Sequence, residues 1–255
     1  LKNATGTVIN DQTELYAGYT IPLQFVSGKT VKRLSFGHNL IYNTSPTSVF
    51  EKDSLIKSNA YFLQHFLNFS QQLPRARMHI FPRFGYAVTL QYRNRLDEDG
   101  YQGIGVANLY LPGAFPTHSL VLSGSFQQTD TNNIFLPNRF PNARGYLDYY
   151  FSRMWKVAGN YHFPLFYPDR GIANLVYFMR VRPNLFYDFS RVYSNNKQAY
   201  LDLRSVGTEL FFDTKWWNQL PVSFGFRYSY LLDSDVTRTN KHVFEFIVPV
   251  GLIPD

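Results

Sequence analysis

The chain has 255 residues, carries 25 Lys and Arg against 18 Asp and Glu for a formal charge of +7, and has no Cys. It therefore lacks a disulfide framework, thiolate metal sites and a Cys nucleophile. Its 45% hydrophobic and 17% charged composition excludes disorder, and no run of about 20 apolar residues is present to make a membrane-spanning helix. The 24 Phe, 19 Tyr and 3 Trp need a place. A transmembrane β-barrel supplies one, because it hides its hydrophobicity by alternation. The opening Leu1-Lys2-Asn3-Ala4 lacks the apolar stretch of a signal peptide, which implies a removed signal or a segment of a longer chain.

Apolar residues recurring with period 2 predict eleven strands. Leu15, Ala17, Tyr19, Ile21, Leu23 and Phe25 share the first face, and Leu34, Phe36, His38, Leu40 and Tyr42 the second. Tyr61, Leu63, Leu67 and Phe69 make the third. Residues 78–95 give a long fourth strand, with Ile80, Pro82, Phe84, Tyr86, Val88, Leu90 and Tyr92 on its apolar side. A weaker strand runs around Ile104, Val106 and Tyr110, and Leu120, Leu122, Gly124 and Phe126 follow. Trp155, Val157, Gly159, Tyr161, Phe163 and Leu165 form the next face, then Leu175, Tyr177, Met179, Val181 and Leu185. Val206, Thr208, Leu210 and Phe212 make a shorter one. Val222, Phe224, Phe226, Tyr228, Tyr230 and Leu232 are the clearest, and Phe244, Phe246, Val248 and Val250 end the chain.

The opposite faces carry small and polar residues, such as Ser223, Gly225, Arg227 and Ser229, or Arg180, Arg182, Asn184 and Asp188. This composition suits a barrel lumen, with aromatics such as Phe224, Phe226, Tyr228, Phe244 and Phe246 toward lipid. A large soluble β protein is the competing reading, although its polar faces would be richer in Lys and Glu. Short connections near 27–30, 72–77, 112–117, 168–171 and 215–220 alternate with longer ones at 44–58, 127–152 and 192–202; those at 96–100 and 233–241 are intermediate. Outer-membrane barrels keep short turns periplasmic and long loops outside, which puts the C-terminus in the periplasm. Bacterial single-chain barrels have an even strand count, and an open edge in lipid is very costly. Eleven strands therefore imply either an unrecognised strand or an N-terminal portion absent from this sequence, and the motifs that follow favour absence.

Three motifs in the second half carry a family resemblance. A long loop contains Ala143-Arg144-Gly145-Tyr146, the next strand reads Asn160-Tyr161-His162-Phe163-Pro164-Leu165, and the strand after it reads Phe186-Tyr187-Asp188-Phe189-Ser190. Together they resemble the inward-folded loop and following strands of the BamA-like outer-membrane assembly superfamily over about 138–254. That family's sixteen-stranded barrel also has five strands after the loop; only six of its eleven earlier strands have counterparts here. Pro112-Gly113 and His118-Ser119-Leu120 resemble a Bacteroidetes-type group in which a β-propeller precedes such a barrel. Asn160 and His162 stand where the family has Glu and Arg, Ser190 replaces a Gly, and Gly251-Leu252-Ile253-Pro254-Asp255 lacks the usual terminal aromatic.

Alternation places Asp188, Arg180, Arg182, Asn160 and His162 on lumen faces of adjacent strands, and the resemblance implies that Arg144 tucks into the lumen against Asp188, with Gly145, Tyr146 and Phe186 beside them. Arg offers a planar fork to a carboxylate, and Gly145 permits a tight turn. Against this stands a solvated Arg144. The six His lack metal-ligand spacing, no Gly-x-Ser-x-Gly elbow is present, and no Ser neighbour for His65 is evident, so no enzyme, cofactor or metal is expected. Asp97-Glu98-Asp99 reads as a solvated acidic loop rather than a calcium site. Arg75 and Arg77 lie in a turn suited to periplasmic partners or lipid headgroups. The charge is dispersed, so nucleic acid is not a partner; lipid, lipopolysaccharide and other outer-membrane or periplasmic proteins are. The resemblance implies membrane insertion or translocation of proteins. A passive anchor or docking subunit, a diffusion pore and a membrane enzyme are the alternatives.

Overall fold

The computed structural model describes residues 13–46, 57–74, 79–97, 99–130, 140–147, 151–173, 175–193, 199–217, 219–233 and 240–248. Their regular structure is antiparallel β-sheet, without a helix. The strands are β1 (Thr13–Ser27), β2 (Thr30–Pro46), β3 (Lys57–Gln72), β4 (Gly85–Arg95), β5 (Tyr101–Pro112), β6 (Ser119–Thr129), β7 (Arg153–His162), β8 (Arg170–Ile172), β9 (Val176–Tyr193), β10 (Tyr200–Trp216), β11 (Leu220–Leu231) and β12 (His242–Ile247). Eleven form one meander in chain order, and β8 adds three rungs to the start of β9. Among the described residues β1 and β12 do not pair, so the sheet is open.

Local chemistry sets the meander. Aromatic and β-branched residues at every second position fit a pleated sheet, and each turn reverses the chain onto its own neighbour. Gly28 takes a left-handed φ of 59° in the two-residue turn between β1 and β2, where Thr30 Oγ1 also donates to the Ser27 carbonyl. Strands of 15–18 residues, as in β1, β2, β3, β9 and β10, are each about 50 Å or more in length, against the five or six residues usual in globular sheets.

The faces are inverted relative to a soluble sheet. Phe226, Phe244 and Phe246 are 56%, 78% and 62% exposed, and Leu15, Tyr19, Phe25, Leu40, Leu90 and Leu185 share their face and their exposure. The polar face holds the buried groups, among them Arg93, Gln127, Asn184, Asp188, Glu209 and Asp213. An apolar cluster caps that face at the end of the long connections. Phe140, Ala143 and Tyr146 of the segment after β6 pack there on Met154, Val192, Leu203, Leu231 and Val243, which reach from β7 to β12.

The structure corrects the expected strands in four places. Among the described residues it has twelve strands rather than eleven, because β8, beginning in a predicted turn, pairs back onto the start of β9. The fourth strand begins at Gly85, opposite Gln72, not at residue 78; Ile80 is buried and Phe81 stacks on Tyr110 and His162, so the segment before Gly85 folds across the polar face. Ile104, Val106 and Tyr110 belong to that polar face as well. Gly85 pairs with Tyr110 and Gln91 with Ile104, which leaves Tyr101, Gly103, Gly105, Ala107 and Leu109 on the apolar side of β5. Finally, β7 ends at His162 and β9 starts at Val176, so Phe163, Leu165 and Leu175 flank strands rather than lie in them. Leu165 keeps one backbone bond to Val181, which Phe166 bridges.

Candidate functional site

The candidate site is built where residues 140–147 cross the polar face of β7 to β11. Strand register brings its groups together. Asp188 of β9 lies opposite Ala158 on one side and Ser205 on the other. Four residues along β10 from Ser205, Glu209 stands opposite Asn184 and Arg227. The period-2 pleat puts all of them on one face.

Arg144 is delivered from above by a turn at Gly145, whose φ is 87°. A Cβ on Gly145 would lie 2.8 Å from Ser229 Cβ and 2.9 Å from Leu231 Cδ2, so only Gly allows this approach to β11. Asp188, fully buried, accepts three bonds from Arg144: from the backbone N–H at 2.9 Å, Nε at 2.9 Å and Nη2 at 2.6 Å. The fork is bidentate on the carboxylate. Its remaining nitrogen, Nη1, donates to Glu209 Oε2 at 3.2 Å. The guanidinium also stacks 3.7 Å above the Phe186 ring. Phe186 lies flat because Gly207 opposite it has no side chain; a Cβ there would sit 2.7 Å from the ring.

The network extends beyond the expected pair. Lys156 bridges Asp188, at 3.1 Å, and the Asn142 carbonyl, at 2.9 Å, which ties the loop down a second time. Glu209 accepts from Arg227 at 2.6 Å and from Asn184 at 2.7 Å, and Arg227 continues to Glu245 on β12. Tyr146 anchors the far side of the turn: its hydroxyl donates to the Arg204 carbonyl at 2.8 Å and accepts from the Asp233 N–H at 3.3 Å. Five strands of the meander are thereby fastened to one loop. Lys156 and Glu209 escape a motif-based reading, although the pleat alone assigns both to the polar face.

The other expected residues lie near this network without joining the loop. Arg180 and Arg182 both donate to Asp213, at 2.7 and 3.0 Å, and Ser223 completes its shell at 2.8 Å. Asn160 accepts from Asn184 at 3.1 Å. His162 is buried under the Phe81 ring, with centroids 4.7 Å apart. Phe224, Phe226, Tyr228, Phe244 and Phe246 lie together on the apolar face, with tilted ring contacts of Phe224 and Phe226 to Phe246 and of Tyr228 to Phe244, on the side of the sheet opposite these charges.

Outside the strands, Asp233 receives Arg204 through Nη2 at 2.7 Å and through its backbone N–H at 2.8 Å, and these bonds hold its carboxyl below the ordinary carboxylate range. Asp97 is lowered in the same way by Arg95; Glu98 lies outside the described residues, as do Arg75, Arg77 and the chain end from residue 249 onward. His65 meets His38 of β2, ring to ring, on the apolar face. Among the described residues no group of three His, Asp or Glu could hold a metal ion. Chemically the arrangement is a brace: three cations and three anions, interlocked, that fix a loop across a sheet. No protein-family model matches the chain, and no curated protein matches it.

Proposed function

We propose that the chain is the C-terminal part of an outer-membrane β-barrel, with its apolar face against lipid, its polar face lining a lumen and residues 140–147 folded inward as a brace. The inversion of the sheet carries this reading: large apolar side chains are exposed while ion pairs are buried. In water, an exposed apolar face of this extent promotes aggregation; in a bilayer it is the stable arrangement. The tight turns at 28–29 and 217–219 lie at one end of the meander, together with 73–84 and 163–175, and the longest connection, 130–152, lies at the other; we take the end with that longest connection as outward, which puts the chain end in the periplasm. Further strands paired to the edges of β1 and β12 complete the barrel, since open edges in hydrocarbon are costly. A sixteen-stranded closure accounts for five of them.

On this frame the chain serves to insert or move proteins at the outer membrane, the activity implied by the resemblance of its Arg-Gly loop and Asp188 strand. It makes and breaks no covalent bond, and works through lipid, lipopolysaccharide and protein partners. Depletion tests this: other barrel or secreted proteins should disappear from the outer membrane while their unfolded forms accumulate in the periplasm. A second reading, a passive anchor or docking subunit, draws on Asn160 and His162. They stand where the family keeps a Glu and an Arg, and here they are engaged by Asn184 and Phe81. Unchanged outer-membrane protein content after depletion, with loss of one specific complex, selects the anchor.

A further inference from the structure

Glycines on the apolar face form a pattern that the chain's own packing does not explain. On the polar face Gly18, Gly37, Gly207 and Gly225 are required on steric grounds, because a Cβ on any of them would strike neighbouring backbone at 2.0–2.4 Å. Gly103 differs. A Cβ there would find its nearest neighbours at 4.0 Å, and Gly105 next on the same face would meet only the flexible end of Leu90, at 3.3 Å. A strand-interior Gly is destabilising relative to Ala. Where its neighbours leave room for a side chain, it marks a surface that something else approaches closely. These two glycines floor a groove of about 490 Å³, walled by Leu67, Leu90, Tyr92 and Phe126.

The groove has a polar head. One ladder row crosses the apolar face through Tyr92, Gly103, Gln128, Arg153 and Tyr193. Arg153 opens β7 at the long-connection end and is exposed, with its guanidinium 5.9 Å from the Phe126 ring and 5.4 Å from the Tyr193 ring. None of the ion pairs among the described residues engages it, whereas its neighbours Arg191 and Arg204 are each held by an Asp. Gln128 donates to the Tyr101 hydroxyl at 3.0 Å beside it, so amide, phenol and guanidinium converge at the rim. An apolar groove that ends under an uncompensated Arg is complementary to an amphiphile with an anionic head.

We infer that this groove binds one lipopolysaccharide molecule of the outer leaflet, with an acyl chain over Gly103 and Gly105 and a phosphate on Arg153. The inference rests on the proposed membrane reading, which turns the Arg153 end outward. The charged pair replaces hydration at an interface of low dielectric, where a charge-assisted bond is strong. With its acyl chain in the groove and its phosphate on Arg153, the lipid is held at a fixed site rather than in the mobile annulus.

The test uses the intact protein purified from native membranes into nanodiscs of phosphatidylethanolamine with either lipopolysaccharide or phosphatidylglycerol. Lipid bound per protein is read by native mass spectrometry. The wild type retains lipopolysaccharide. Arg153→Gln loses one charge-assisted contact, worth about tenfold in affinity, and Gly103→Leu fills the groove and abolishes retention while leaving heat-modifiable migration intact. Leu109→Ala, on the same face and outside this groove, changes nothing. Equal retention in wild type and both variants overturns the inference, as does equal retention of phosphatidylglycerol. Failure of the wild type to enter the bilayer overturns the membrane reading itself, a separate outcome visible before any lipid is counted.

Discussion

Asp188→Asn tests the brace with the smallest change of shape. The wild-type carboxylate is fully buried and accepts from Arg144 three times and from Lys156 once. The amide keeps one acceptor oxygen but turns its NH2 toward one of the two cations. Arg144, 13% exposed, then keeps Glu209, at 3.2 Å, as its one carboxylate partner beside the Phe186 ring, and Lys156 retains the Asn142 carbonyl. Two positive charges remain, with Glu209 beside Arg144 as the remaining anion of the site. Breaking one partner of a buried pair costs about 3–5 kcal/mol, and water reaching the lumen lowers this toward the surface range of about 0–1 kcal/mol. The burial of Asp188 places the expected loss near the lower end of the first range, about 3 kcal/mol. Two assays read it: urea unfolding of the protein in lipid vesicles, and trypsin cleavage after Arg144, which the brace shields. The variant should unfold at lower urea and be cut at Arg144 without unfolding. A change below about 0.5 kcal/mol, within the range of ordinary surface substitutions, with Arg144 still protected, would refute the reasoning.

Gly145→Ala should release the same loop by a different route, since its Cβ would sit under 3 Å from Ser229 and Leu231 at a φ of 87°. Strain of about 1–3 kcal/mol is expected, read as faster cleavage at Arg144. Phe226→Arg, at an exposed position in the apolar patch, should disfavour membrane insertion by roughly 2–4 kcal/mol if it sits at the midplane. Thr89→Arg, exposed on the polar face, should be tolerated; equal effects at both positions would defeat the assignment of faces. Asp233 gives a pH test. Its folded carboxyl is held below the ordinary value of 3.8 by Arg204, so its stabilisation is fully present above that value. It is lost as pH falls through the lower folded value. Asp233→Asn should therefore lower stability slightly at neutral pH, by about 0–1 kcal/mol for so exposed a pair, and match the wild type in strong acid, as acid titration of unfolding will show.

Period-2 alternation made the sheet legible wherever one face was uniformly apolar, as in Val222 to Tyr230 or Leu15 to Phe25. It misled where the apolar face was built from glycines. In β5, Gly103, Gly105 and Ala107 look out while Ile104 and Val106 look in, so side-chain hydrophobicity pointed to the wrong side. Alternation also ran past the end of pairing. Residues 78–84 keep the pattern, yet Pro82 has no N–H to donate and the ladder to β3 stops at Gly85. Arg144 and Asp188 were legible through a local motif. Glu209 and Lys156 were not, because each is one polar residue in an ordinary strand; their role appears only once register places Glu209 beside Asn184 and Arg227 and sets Lys156 against Asp188. Three-residue β8 is too short to have a period.

The central claim is that the exposed aromatic face meets lipid and the opposite face meets water. Since the chain has no Cys, a single thiol can be introduced at each position from 222 to 230 and spin-labelled in native-like membranes. Accessibility to oxygen, which partitions into lipid, and to a water-soluble nickel chelate should alternate with period 2. Positions 224, 226 and 228 should favour oxygen, and positions 223, 225 and 229 the chelate. Uniform access of the chelate to both sets would contradict the account and return the sheet to a soluble protein whose apolar face is covered by something else.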